Sequence, residues 1–313
     1  MITCNVMEYS VGEVIGGVWF VDLKVGGEEE YTGIYVLSDG REALLIDVGP
    51  SSTGEKVLGA LKDIGIPFDS VRYLLLTHVH LDHGGACGGL IRFFPKATVI
   101  VHRRGAFHLV NPDAVLWKSS IKVLGSVAEI YGKPEPVPEE RIVSIEDTFY
   151  LSLGNLDFEI LPTPGHASHH VSIYCRNYRV LFPGDSAGVY VPSLDAMLPN
   201  TPPPFKLDKA LRSIDAMIAL NPEVIAYTHF GVSREGLYNL SRCRRQLTAW
   251  YELIKEMKVR GIGKEEEEEM LGAIAQSDED LKRFIAKSER LKGLQRGLRT
   301  SLRGLIQLVE DAQ

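Results

Sequence analysis

The stretch LLLTHVHLDHGGACGG, residues 74–89, places three histidines and one aspartate within six consecutive positions. The whole chain has nine histidines in 313 residues, so this one window holds a third of them. The segment 71–78, VRYLLLTH, reads as a buried strand, and the glycines at 84–85 mark the turn that follows the cluster. If the backbone stays extended, His78, His80 and Asp82 project to one side, and His83 swings to a neighbouring point as the chain turns. Imidazole nitrogen and carboxylate oxygen together suit zinc and other borderline metals. Left uncoordinated at the end of an apolar strand, the same groups are costly to bury.

Four other segments end in groups of the same kind. LLIDVG carries Asp47, LPTPGHASHH carries His166 with His169 and His170 beyond it, VLFPGDSAG carries Asp185, and VIAYTHFG carries His229. Each lies at the end of a predicted strand, which is what an active site at a sheet edge requires.

The ordered series THxHxDH, GH, GD and a final TH resembles the metallo-β-lactamase superfamily, over about residues 15–231. The resemblance implies an α+β fold, a four-layer αβ/βα sandwich with the metals at one edge. It further implies that His78, His80 and His166 hold one metal. Asp82, His83 and His229 hold a second, and Asp185 bridges both. Asp82 and Asp185 are the carboxylates it places in the chemistry. Asp47 is read as organising the loop near His83, and His170 as orienting a ligand from behind. His169 is open between surface and pocket. His102 and His108 lie outside the pattern and are read as structural, as is Tyr190. Where the principal zinc β-lactamases have cysteine this chain has Asp185, and His80 stands where flavin-linked di-iron members carry an acidic residue. The series is closer to glyoxalase II, acyl-homoserine lactonases and uncharacterised hydrolases of this fold.

The remaining composition narrows the partners. Net charge is −7, without a basic arm, which speaks against nucleic acid. Cys4, Cys87, Cys175 and Cys243 form no CxxC pair and point to a reducing compartment. No secretory signal and no apolar run of membrane-spanning length is evident, so a cytoplasmic protein with no membrane partner is expected.

Along the chain, strands are predicted at 18–25, 31–38, 42–49, 71–78 and 97–102, then four more within 147–185. Ser52 and Glu55 have the spacing of a capping box. Residues 103–147 read as a helical insertion of one or two helices over the site, with Phe107, Trp117 and Tyr131 as core. A helix with Leu207, Leu211, Ile214 and Ile218 on one face precedes the strand EVIAYTH, and the Pro-rich loop 192–204 is expected to rim the pocket. The catalytic domain is placed at 1–232 and a helical C-terminal extension at 233–313. There Ser277 with Asp280 reads as a cap, and KEEEEEM (264–270) as a solvated first turn. The extension is expected either to cover the sandwich or to make a homo-oligomer.

The function implied is a dinuclear metal-dependent hydrolase. Two divalent ions, zinc first and iron or manganese next, would share a water and lower its pKa from 15.7 to about 7. The hydroxide so formed would attack a thioester, lactone or other ester of a small-molecule substrate. Two alternatives stand beside it: a mononuclear iron oxidoreductase like persulfide dioxygenases, and a phosphodiesterase or RNA-processing nuclease of the same fold.

Overall fold

The computed structural model describes residues 9–262 and 267–312. The chain divides into two compact units, Met1–Pro162 with Ile173–Tyr178, and Thr163–Ser172 with Arg179–Gln313. The C-terminal helices fall in the same compact unit as residues 179–231.

Among the described residues, the first sheet has seven strands: β1 (Ser10–Ile15), β2 (Val18–Asp22), β3 (Gly33–Ser38), β4 (Ala43–Ile46), β5 (Val71–Leu75), β6 (Thr98–His102) and β7 (Ile142–Ile145). They lie in the sheet in their chain order. β1 to β4 form an antiparallel meander, while β4 to β7 are parallel. Parallel neighbours need long crossovers, and helices supply them. α1 (Gly54–Ile64) joins β4 to β5. α2 (Leu81–Gly84) and α3 (Cys87–Ile91) join β5 to β6. α4 (Arg103–Val110), α5 (Leu116–Leu124) and α6 (Ser126–Tyr131) join β6 to β7.

The strands that carry this layer are continuous apolar runs because both of their faces are covered. Ala43 to Ile46 are all buried, as are Leu74, Leu75, Val99 and Val101, and Leu45, Leu74 and Val99 share one core with α1 and α3. A fully buried leucine is worth roughly 1.5–3 kcal/mol. The strand ends are therefore firmly held. In parallel strands all carboxyl ends meet one edge, so the residues after β4, β5 and β6 emerge together.

Several expectations change here. The proposed insertion 103–147 holds three helices and also β7, a paired strand of the sheet. Phe107 is 56% exposed, not core, whereas Tyr131 is buried with its hydroxyl against that of Tyr31. The capping box at Ser52 is not made: α1 starts at Gly54 without a side-chain cap, and Thr53 Oγ1 donates to the Pro50 carbonyl.

β8 (Phe149–Leu153) and β9 (Leu156–Pro162) form an antiparallel hairpin, and β10 (Val171–Cys175) is the strand through which the division of the chain passes. The second unit then contains β11 (Val180–Phe182), β12 (Val189–Val191), β13 (Ala196–Leu198), α7 (Leu207–Ala219), β14 (Val224–Tyr227) and β15 (Gly231–Ser233). Four helices follow: α8 (Gly236–Val259), α9 (Glu267–Ser277), α10 (Glu279–Lys287) and α11 (Lys292–Asp311). The second sheet has the order β15-β14-β11-β10-β9-β8, and β12 pairs with β13 in a separate hairpin. β11 and β14 are parallel, with α7 as their crossover, so their carboxyl ends share an edge.

On α7 the buried face is Ala210, Ser213, Ile214 and Met217; Leu207, Leu211 and Ile218 are only half-buried. α10 is capped by Asp278, whose carboxylate accepts from the amides of Asp280 and Leu281, whereas Ser277 donates to the Ile274 carbonyl. Within the acidic run, Lys264 to Glu266 lie outside the described residues. Glu267 and Glu268 pair with Arg303 and Arg299 of α11. Among the described residues no helix is long and apolar enough to cross a membrane.

Candidate metal centre

β5 ends at Leu75, three residues before the first histidine. The cluster is therefore not an alternating strand. His80 stands at the N-terminus of α2, and Asp82 and His83 lie within that short helix. The turn brings His83, not Asp82, back toward the sheet, and the His83 carbonyl accepts from the Val48 amide at 2.8 Å.

Asp47 follows β4 and is wholly buried with φ 57°, a left-handed conformation that an aspartate tolerates better than most side chains. Its Oδ1 accepts the Thr77 amide at 2.8 Å, its Oδ2 lies 2.8 Å from His83 Nδ1, and the Thr77 hydroxyl reaches both oxygens. A buried carboxylate assigns the proton of His83 to Nδ1 and leaves Nε2 as the basic nitrogen. Thr77 Oγ1 is also 3.1 Å from His78 Nδ1. The opposite side of that ring, Nε2, lies 2.9 Å from His80 Nδ1. Two imidazole nitrogens aimed at one point suit two ligands of one cation.

In the second unit Asp185 follows β11 and His229 follows β14, at the shared edge of those parallel strands. Asp185 Oδ2 is 3.3 Å from His166 Nε2, and Oδ1 is 3.7 Å from His229 Nε2. The three side chains are each about 5% exposed. One carboxylate oxygen per imidazole is the arrangement a bridging ligand needs. His166 Nδ1 donates to the Asn200 carbonyl at 3.1 Å, which makes its Nε2 the ligating nitrogen. His170 accepts the Asp185 amide on Nε2 at 3.0 Å, while its Nδ1 lies 2.9 Å from Thr163 Oγ1 and 3.0 Å from Ser186 Oγ. It is a hydrogen-bonding support under Asp185. A small cleft beside these groups is lined by His166, Asp185, Asn200, Phe205, Cys243 and Leu247, among others. Asn200 and Thr201 are the members of that lining from the Pro-rich loop 192–204.

The candidate metal ligands are thus His78, His80, Asp82 and His83 in the first unit and His166, Asp185 and His229 in the second. His169 is half-buried. His102 accepts the Arg104 amide and caps α4, and burial holds its pKa below the ordinary value. Sequence reasoning missed Thr77, Ser186 and Asn200. Thr77 stood beside the motif, but the Asn200 contribution is a main-chain carbonyl, which no residue type announces.

The family model for the metallo-beta-lactamase superfamily matches residues 28–229. The chain belongs to this superfamily. Its fold is the α+β sandwich of that superfamily with helices at the C-terminus. The chain is 31% identical over 206 residues to the metallo-beta-lactamase fold-containing protein ST1585 of Sulfurisphaera tokodaii, covering 65% of this chain and 74% of that one. The crystal structure of ST1585 from Sulfolobus tokodaii matches with a TM-score of 0.66 at 24% identity, over 89% of this chain and 93% of that chain. Two shorter similarities carry named activities. N-acyl homoserine lactonase AttM of Agrobacterium fabrum is 31% identical over 116 residues, 37% of this chain and 40% of its own length. Hydroxyacylglutathione hydrolase of Albidiferax ferrireducens is 27% identical over 157 residues, 49% of this chain and 46% of its own length. This chain therefore spans less than half of either enzyme.

Proposed function

We propose that this member of the superfamily is a dinuclear metal-dependent hydrolase of a thioester, lactone or other ester. The observation that carries the reading is Asp185, with one carboxylate oxygen directed to His166 and the other to His229. In this reading His78, His80 and His166 would hold one ion and Asp82, His83 and His229 the other, with Asp185 shared between them. Zinc suits this nitrogen and oxygen donor set, and iron and manganese come next.

Bound there, two divalent ions would supply Lewis acidity and a water acidified to about pKa 7. The residues of the chain do the rest by position. Asp47 keeps His83 in the tautomer that presents Nε2. The Asn200 carbonyl does the same for His166, and His170 holds the main chain of Asp185 so that its two oxygens stay divided between two imidazoles. No side-chain nucleophile is required. The similarity to a lactonase and to a hydroxyacylglutathione hydrolase supports carbonyl rather than phosphoryl substrates, and the net charge of −7 supports a small molecule over RNA.

Metal quantification on protein purified without added metal, followed by a panel of thioesters, lactones and phosphodiesters, tests the reading. Two metals per chain and turnover of one ester class is the expected result. One iron per chain with oxygen consumption would overturn it, as would retained full turnover in Asp185→Ala.

A further inference from the structure

We propose that the C-terminal helices are a brace for the ligand histidines of the second unit. α8, α10 and α11 hold the segment 189–201 by its main chain, and that segment sets His229 at one end and His166 at the other. The inference rests on the reading of His166 and His229 as metal ligands.

At the first end, Tyr190 of β12 exchanges two main-chain hydrogen bonds around His229. Its amide donates to the His229 carbonyl at 2.8 Å, and its carbonyl accepts from the Phe230 amide at 3.0 Å. At the other end the Asn200 carbonyl accepts from His166 Nδ1. Both ligands therefore depend on where one hairpin and its short extension lie.

The helices grip that extension through polar groups aimed at its backbone. Arg242 of α8 and Arg283 of α10 both donate to the Asp195 carbonyl, at 2.7 and 2.6 Å. Asp195 sits at φ 44°, a left-handed conformation that a non-glycine residue keeps only where its surroundings fix it. Arg242 is itself fixed by a buried bidentate pair with Asp280. Two residues on, Gln246 of α8 donates to the Met197 carbonyl at 2.7 Å. Next to Asn200, the Thr201 amide donates to Ser301 Oγ at 3.2 Å, and the Thr201 hydroxyl donates to the Ser301 carbonyl at 2.8 Å. One turn further along α11, Gly304 lies so close that a Cβ there would fall on the Thr201 carbonyl oxygen. Helices that merely covered a sheet would bury apolar side chains. These also address three main-chain polar groups within seven residues, and the last of them adjoins the carbonyl that orients His166.

The experiment uses the full chain as apo-protein. Gly304→Ala and Gln246→Ala are compared with wild type and with Gln307→Ala on the exposed side of α11. Zinc affinity is measured by competition with a chromophoric chelator, and the visible spectrum of the cobalt-loaded protein reports ligand geometry. Loss of a supporting partner of a ligand histidine weakens metal binding by about 10–100-fold. A weakening within that range is expected in the two brace variants, with a changed cobalt spectrum, while Gln307→Ala matches wild type. Thermal melting of each apo-protein shows that it is folded; should Gly304→Ala fail to fold, Gln246→Ala carries the same expectation. Folded variants with wild-type affinity and spectrum overturn the brace and leave the metal centre standing. A wild-type chain that binds neither zinc nor cobalt overturns the metal centre, and the brace falls with it.

Discussion

The Nδ1 of His83 meets Oδ2 of Asp47 over 2.8 Å, and neither side chain is reached by solvent. The carboxylate arrives from the end of β4 and the imidazole from α2, so the pair ties two crossovers of the parallel layer together. We expect Asp47→Ala to weaken metal binding by about 10–100-fold, because His83 loses the acceptor that fixes its tautomer. Asp47→Asn retains an acceptor oxygen and should lose less. Chelator competition on the two variants checks the order, and equal affinities would show that Asp47 only shapes the loop.

Asp185 offers one oxygen to each of two histidines, and an amide cannot bridge cations as a carboxylate does. Asp185→Asn is therefore expected to lower the metal content by one ion per chain and to abolish nearly all turnover. Elemental analysis alongside ester hydrolysis measures both.

Asp278 joins two jobs in one carboxylate. Oδ1 caps α10, and Oδ2 accepts Trp250 Nε1 at 2.6 Å and Gln246 Nε2 at 2.9 Å. Replacing it with alanine removes a cap worth about 0.5–2 kcal/mol and leaves the indole N–H of a buried tryptophan without its acceptor, at about 1–3 kcal/mol. A loss of about 2–4 kcal/mol in urea unfolding is expected for the sum. A loss under 1 kcal/mol would mean that water replaces the carboxylate.

Burial raises the thiol of Cys243 from 9.0 to about 12 and that of Cys175 to about 11. A folded-state pKa above the unfolded value stabilises the protein fully below pH 9, and the contribution disappears as pH rises through the folded values. Urea midpoints are accordingly expected to hold up to pH 9 and to fall between pH 9 and 12. Serine at both positions should flatten that fall. In a Cys4→Ser background, iodoacetamide at pH 8 should label the native chain slowly and the unfolded chain fast.

Much of this site was legible because its chemistry sits on rare side chains at strand ends. His78, His83, Asp185 and His229 became candidates through the order of their motifs, since a lone histidine or aspartate after an apolar run usually only completes a hydrogen bond. The conformation around them was harder. Strict alternation of residues 78, 80 and 82 failed because α2 begins at Leu81, and nothing in LDHG distinguishes one helical turn from a loop. The two capping expectations failed differently: α1 has no side-chain cap, Thr53 turning its hydroxyl to the Pro50 carbonyl, whereas at α10 the neighbouring Asp278 takes the cap, its other oxygen held by Trp250 and Gln246. β1, β12 and β13 were missed because they are short or partly exposed, with little apolar periodicity to read. The supporting contacts through the Asn200 and Asp195 carbonyls were invisible in principle, because every residue has a carbonyl.

The seven strands of the first sheet neighbour one another in the order in which they are synthesised. As each leaves the ribosome, the strand it must pair with has already been made, and no gap has to be held open for a later arrival. Short sequence separation between partners lowers the loop-closure entropy lost before pairing. Nascent edges are therefore covered soon after they form, which shortens the time in which they can pair with another chain.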